Sequence, residues 1–286
     1  MTETTGNDIH GLPFGSGRLG RILARPRTVA WLSVVLLASL GWAYLAALAG
    51  RSNQSADATG SLLAQALCQA LPISELDPWT CALVFSMWVA MTVAMMLPSA
   101  APMILTYAEI AETAMRKGER IISPLVLATG YTVVWLGFAA IAAVAQTAIT
   151  QTAMKDPGAV TASGLLSGAT FIGAGWYQFS ALKHACLTRC QHPFPFFFVN
   201  WASTAAGVFR LGIRQGLYCL GCCWAMMLVM FAVGSMNIAW MALLATVMAI
   251  EKIVLGRRLT TAIGTALILG GIAVVGGSFI AHWPRV

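Results

Sequence analysis

The sequence predicts an all-α protein, a polytopic transmembrane helix bundle of about seven spans with its N-terminus in the cytoplasm and its C-terminus outside. Of the 286 residues, 58% are hydrophobic and only 9% are charged, whereas soluble domains carry about 25% charged residues. The mean hydropathy is +0.77, apolar segments recur along the chain, and basic residues collect in alternate connections. We therefore predict a multi-pass protein of a bacterial-type inner (plasma) membrane, in contact with the lipid bilayer.

Each predicted span is close to the ~20 residues that a bilayer requires. The spans cover residues 29–49, 80–97, 121–149, 162–183, 215–233, 236–251 and 261–281. Residues 1–28 form a basic cytoplasmic arm. Residues 29–286 form a single transmembrane helical domain, because no polar connection is long enough to fold by itself.

The orientation follows from the positions of Lys and Arg. With a cytoplasmic N-terminus, 14 of the 17 basic residues fall in cytoplasmic segments, and only Arg51, Lys155 and Arg285 fall outside them. This asymmetry is typical of membrane proteins, whose cytoplasmic loops are rich in Lys and Arg. The net charge of +7 is thereby explained by orientation in the bilayer, and we expect no nucleic-acid partner.

The connections contain breaks and short helices. Pro98 and Pro102 are expected to break or kink the second span, and a separate helix is predicted to follow from Met103 to Gly118. Residues 191–201, with two prolines and several aromatic residues, should lie in the interface or form a re-entrant loop. Residues 202–214 are predicted as an interfacial helix. In the external loop, Cys68 has two alternatives: a disulfide with Cys81, or no pairing because Cys81 already lies inside the membrane.

The predicted fifth span has sulfur side chains along one face. At 100° per residue its three cysteines and two methionines fall within an arc of about 100°. Soft sulfur ligands select Cu(I) and other thiophilic metals over hard ions. The alternative is that Cys and Met are ordinary apolar core residues. The stripe consists of Cys219, Cys222, Cys223, Met226 and Met230.

Further candidate ligands occur near the predicted cytoplasmic ends of other spans. At the end of the fourth span, Cys186 and Cys190 are spaced i and i+4, and His184 and His192 flank them. On the second span, Met95 ends a stripe with Met87 and Met91 for which plain packing is the alternative. The pair Glu251-Lys252 ends the sixth span, where a charge pair at the interface is the default interpretation.

The predicted topology brings these soft ligands from several helices to one depth, at the cytoplasmic leaflet. Cytoplasmic thiols are kept reduced, which favours metal binding over structural disulfides. Two thiolates with Met or His would suit Cu(I), and four Cys, or Cys with His, would equally suit Zn(II). The predicted ligands are Cys186, Cys190, Cys219, Cys222, Cys223, Met226, Met230, His184, His192 and Met95.

Several sequence blocks resemble a family of predicted metal-binding integral membrane proteins, some of which are labelled copper chaperones. The blocks are Met87–Ser99, Leu182–Cys186, Tyr218–Trp224, Met236-Asn237 with Trp240-Met241, and Glu251-Lys252, within residues 80–255. Cys-x-x-Cys-Cys-Trp is the most specific of them. The resemblance implies a helical bundle of about seven helices and copper handling.

Three functions compete at this point. The first is a non-enzymatic membrane metallochaperone or copper-trafficking factor, which would exchange Cu(I) with a membrane copper protein or a soluble metal donor. The second is a membrane enzyme, a metal-dependent or thiol oxidoreductase. Only four His are present, which disfavours a redox copper centre built on His, and thiols facing a reducing compartment disfavour a thiol exchanger. The third is a structural subunit whose sulfur residues only pack.

Overall fold

The computed structural model describes residues 26–54, 78–118, 121–155, 159–233, 238–254 and 256–281. Over these ranges the chain forms nine α-helices and no strand, which confirms the all-α prediction. The helices are α1 (Pro26–Gln54), α2 (Pro78–Arg116), α3 (Pro124–Lys155), α4 (Ala159–Tyr177), α5 (Ala181–Gln191), α6 (Pro193–Val199), α7 (Ala205–Val233), α8 (Ile238–Ile253) and α9 (Arg257–Ala281).

Five of these helices are long and apolar enough to cross a membrane. The qualifying segments are Ala30–Ala47, Cys81–Arg116, Pro124–Ile149, Ala205–Val233 and Arg257–Ser278. They lie in α1, α2, α3, α7 and α9. The total of seven spans and the N-in, C-out orientation stay predictions. Most of the basic arm and Cys68 lie outside the described residues, so the arm and the Cys68–Cys81 disulfide stay predictions as well.

Of the break or kink expected at Pro98 and Pro102, the break is wrong, because α2 continues through both prolines to Arg116; the kink stays a prediction. Proline removes one backbone donor and crowds the preceding turn, so the Ala94 and Pro98 carbonyls, four residues before each proline, lose their helical donors. Between them, the Met96 carbonyl accepts hydrogen bonds from the Ser99 hydroxyl at 2.8 Å and from the Tyr131 hydroxyl of α3 at 3.2 Å, which ties this stretch of α2 to α3. The segment from Met103 onward is therefore part of α2.

The predicted fourth span also has a different end. Helix α4 stops at Tyr177, and α5 begins at Ala181 as a separate helix. Ser180 caps α5, since its side chain accepts a hydrogen bond from the Lys183 backbone N–H, a preferred arrangement at helix N-termini. Cys186 and Cys190 therefore lie on this short helix.

The predicted interfacial helix 202–214 and the fifth span are one helix, α7. Cys219 is its middle residue, so the thiols lie half-way along α7; their position near the cytoplasmic leaflet stays a prediction. Residues 205–214 continue the helix because they pack against α3: Cβ atoms added at Gly130 and at Gly212 would overlap the Phe209 and Leu127 carbonyl oxygens, respectively. Glycine thus permits the close approach of these two helices.

The remaining helices frame this central pair. Helix α2 packs against α1 and α3, α5 packs against α7, and α4 joins α7 to α9. The short helix α6, from the proline-rich segment predicted to lie in the interface, contacts α2. The buried core contains the methionine stripe of α2 and the sulfur stripe of α7. Helices α2, α3, α5 and α8 each contact the thiols of α7.

Candidate metal centre

Three cysteines on α7 form a compact buried group. The Sγ atoms of Cys219, Cys222 and Cys223 all lie within 4.8 Å of one another. Positions i, i+3 and i+4 are neighbours on a helix surface, so the Cys-x-x-Cys-Cys sequence builds this triangle within one helix. Cys222 and Cys223 each donate to the Cys219 carbonyl, at 3.1 and 2.8 Å. We call these three residues the thiol triad.

Two polar side chains from other helices reach the Cys219 sulfur. The Lys252 ammonium of α8 lies 3.0 Å from Cys219 Sγ, and the Tyr131 hydroxyl of α3 lies 3.0 Å from the same atom. Lys252 also donates to the Ser99 hydroxyl of α2 at 2.6 Å. All four residues are buried. A buried ammonium is costly unless it is paired, and a thiolate at Cys219 would supply the opposite charge.

Sulfur atoms from two further helices border the triad. Cys190 Sγ of α5 lies 4.0 Å from Cys222 Sγ, and Met96 Sδ of α2 lies 3.7 Å from Cys223 Sγ. Sulfur atoms from α2, α5 and α7 thus lie close together, and their role as a ligand set stays a prediction. Met96, the neighbour of the predicted Met95, contacts Cys223 of the triad.

A buried ion pair holds α5 and α8 together beside this group. Lys183 Nζ donates to Glu251 Oε2 at 2.8 Å, and both side chains are almost fully buried, at 0% and 3% exposure. The Gln191 amide adds a hydrogen bond to the Glu251 carbonyl at 2.8 Å. Glu251 and Lys252 are both buried near the end of α8, and they bind different helices: Glu251 binds α5, and Lys252 binds α2 and α7.

The other predicted methionine ligands lie in the core around the triad. Met226 and Met230 are buried on α7 beyond Cys223, on the face that the sequence predicted. Met95 is buried on α2. These three thioethers belong to the same hydrophobic core as the triad, in which they also serve as packing.

Cys186 and the two histidines are placed differently. A Cβ added at Gly221 of α7 would lie 2.6 Å from Cys186 Sγ, so this cysteine packs on α7 one turn away from Cys190. Its partial burial raises the pKa of the Cys186 thiol, with a smaller contribution from Cys222. Burial lowers the pKa of His184, as do the nearby cations Arg257 and Lys183. Among the described residues, the thiol triad is the only set of three His, Cys or acidic side chains close enough to share a metal ion, so neither His184 nor His192 is in that set.

Sequence reasoning missed the polar partners of the triad. No sequence pattern marked Tyr131 as a partner of the triad, since a tyrosine in an apolar span is commonly a core residue. Lys252 was visible as a charge at the end of a predicted span, and its burial could have been suspected because charges within membrane segments are rare and functional.

The triad fits a thiophilic metal ion by its donor chemistry and its spacing. A thiolate–metal bond of about 2.3 Å places three donors in one plane about 4 Å apart. The sulfur separations here are within 4.8 Å, so small side-chain rotations are enough to close the site. Thiolate and thioether donors favour Cu(I) over hard cations.

The fold and this site define an all-helical protein with candidate membrane spans and a buried thiol site suited to copper. A family model described as "PpoB2: Copper chaperone" matches residues 85–274. The chain belongs to this copper chaperone family, which confirms the resemblance seen in the sequence. No curated protein and no solved structure matches the chain.

Proposed function

We propose that this protein is an integral membrane chaperone that binds Cu(I) through the thiol triad and passes it to a copper protein. The observation that carries the proposal is the group of three buried Sγ atoms within 4.8 Å of one another. Membership in a copper chaperone family supports copper as the cargo.

The charges of the site are compatible with Cu(I) held by two thiolates. Cu(I) with two thiolates carries one negative charge, and the Lys252 ammonium at 3.0 Å from Cys219 Sγ neutralises it. A neutral ensemble avoids the cost of a buried unpaired charge. Zn(II) with three thiolates has the same net charge of −1, so the test includes competition between Cu(I) and Zn(II).

The sulfur atoms outside the triad suggest how copper moves. In this proposal Cys190 and Met96 are auxiliary donors that stabilise Cu(I) as it enters or leaves the triad. Met226, Met230 and Met95 provide further thioether exchange positions, and Cys186, His184 and His192 act farther from the triad. The partners are a membrane copper protein and a soluble metal donor, with the thiols accessible from the cytoplasmic side.

Metal analysis of purified protein tests the proposal. The metal-free protein is loaded with Cu(I) under anaerobic conditions, desalted and analysed for copper and zinc, with excess Zn(II) in a parallel sample. We expect about one copper per chain in the wild type, retained against zinc because thiolates prefer Cu(I). The triple variant with Cys219, Cys222 and Cys223 changed to Ser should retain less than about a tenth of it.

A matched control and a labelling experiment complete the test. Cys81→Ser changes an exposed cysteine of α2 and should retain copper as the wild type does. Equal copper in the triple variant would contradict the proposal. Thiol labelling of membrane vesicles from each side tests placement, and reaction of Cys190 only from the external side would contradict the cytoplasmic assignment.

A further inference from the structure

A cavity opens beside the triad, and only two of the described residues that line it, Cys190 and Cys219, are proposed copper ligands. It has a volume of about 230 Å³ and lies among α2, α3, α5, α6, α7 and α8. One water occupies about 30 Å³ of liquid, so the cavity has room for a molecule of about seven or eight non-hydrogen atoms. Eight of its lining residues carry polar or sulfur groups, among them Ser99, Tyr131, Cys190, Gln215, Cys219 and Lys252.

One buried donor in this lining lacks a partner. Gln215 is 2% exposed, and its Nε2 is buried with no hydrogen-bond partner. An unsatisfied buried donor typically costs about 1–3 kcal/mol, so such a group indicates a ligand that accepts hydrogen bonds. Gln215 stands one helical turn before Cys219 on α7.

The charge of the lining indicates that this ligand is an anion. Lys252 is the only charged side chain among the described residues that line the cavity, and none of them is acidic. The nearby carboxylate of Glu251 is paired with Lys183 at 2.8 Å. Donors without a competing carboxylate favour a carboxylate ligand.

We propose that the cavity binds a small thiol that bears a carboxylate, and that Cu(I) reaches the triad as the complex of this thiol. The inference rests on the proposed function, because it names the carrier of the copper. The carboxylate accepts hydrogen bonds from Gln215 Nε2 and Lys252, and the carrier sulfur lies toward Cys219 and Cys190.

The delivery step is a ligand exchange without electron transfer. A copper–sulfur bond to a cysteine of the triad forms while the copper–sulfur bond to the carrier breaks. The proton of the cysteine thiol passes to the departing carrier thiolate, which leaves as a neutral thiol group. Copper remains Cu(I) throughout, so no oxidant or reductant is needed.

Two carriers of equal chain length test this inference. The Cu(I) complexes of 3-mercaptopropionate and of cysteamine differ in that one carries a carboxylate and the other an ammonium group. Copper transfer to the metal-free protein is followed by the ultraviolet absorption of the Cu(I)–thiolate product, with transfer to a chromophoric chelator as the reference. We expect transfer from the mercaptopropionate complex to be about tenfold faster, the value of one charge-assisted hydrogen bond.

A pair of glutamine variants locates the effect. Gln215→Leu should reduce the rate ratio to about one to three. Gln178→Leu is the matched control, since Gln178 is also buried with an unpartnered amide oxygen but lies outside the cavity, and it should keep the ratio. Butyrate, which lacks the thiol, should slow copper transfer to the wild-type protein from the mercaptopropionate complex only. This competition tests the inference even where Gln215→Leu does not fold.

The outcomes separate this inference from the proposed function. Equal rates for the two carriers, with no effect of butyrate and with about one copper bound per chain, would mean that the cavity holds water only and would overturn the inference alone. No copper uptake from either carrier or from a chelator would contradict the proposed function and the inference with it.

Discussion

Replacing Lys252 by Leu should weaken Cu(I) binding substantially. The substitution keeps an aliphatic side chain, adds no sulfur donor and removes the ammonium that lies 3.0 Å from Cys219 Sγ. At this separation two unit charges attract by about 1.4 kcal/mol in bulk water and by about 5.5 kcal/mol at an effective dielectric constant of 20. Because copper binding converts a thiol into a metal-bound thiolate, the ammonium stabilises the loaded state more than the metal-free state.

The net loss should resemble that of one hydrogen bond to a charged group, about 1.5–3 kcal/mol. This corresponds to a Kd for Cu(I) that is about 10- to 150-fold higher. The assay is anaerobic competition between the protein and a chromophoric Cu(I) chelator, at fixed pH and detergent concentration.

Two companion variants make the result specific. Lys117→Leu removes an exposed charge just after the end of α2 and should leave the Kd as in the wild type. Lys252→Arg keeps the charge and should lie between the wild type and Lys252→Leu. A Kd for Lys252→Leu within about threefold of the wild type would refute the view that Lys252 balances the charge of the copper–thiolate group.

Three other perturbations have defined outcomes. Cu(I) loading should slow alkylation of Cys190 at least about tenfold, as expected for a sulfur drawn into a metal site, and an unchanged rate would place this thiol outside it. Lys183→Met should lower the free energy of unfolding by about 3–5 kcal/mol, because it leaves Glu251 buried and unpaired. In thermal unfolding, the double variant Lys183→Met/Glu251→Met should regain most of the lost stability. A fully additive loss would argue against a stabilising Lys183–Glu251 ion pair. Gly212→Val should destabilise the α3–α7 contact by more than about 1–3 kcal/mol, whereas Gly137→Val, whose added Cβ meets nothing within 4 Å, should not.

The sequence predicted the helical class and the face of the site well. Helical periodicity alone places Cys219, Cys222 and Cys223 on one face, and the structure shows their sulfur atoms clustered. The contacts of Cys222 with Cys190 and of Cys223 with Met96 bring sulfur from α5 and α2 to that face. Helical periodicity could predict the clustering of the three cysteines because all of them lie on one helix.

Other features depend on contacts that periodicity does not contain. Proline at positions 98 and 102 normally ends or kinks a helix, but α2 continues through both to Arg116 and packs against α1 and α3. The approach of Tyr131 to Cys219 depends in turn on the glycine contact between α3 and α7. Lys252 binds Cys219 only because α8 packs across the bundle, a long-range contact that no local pattern reports.

X-ray absorption spectroscopy of the Cu(I)-loaded wild-type protein tests the central claim most directly, since it reports the atoms bound to copper. The proposed site predicts a first shell of two or three sulfur atoms at about 2.3 Å and an edge typical of Cu(I). This signal should be lost when Cys219, Cys222 and Cys223 are all changed to Ser. A first shell of nitrogen or oxygen, or a sulfur shell that persists in the triple variant, would contradict the assignment of the α7 triad as the copper site.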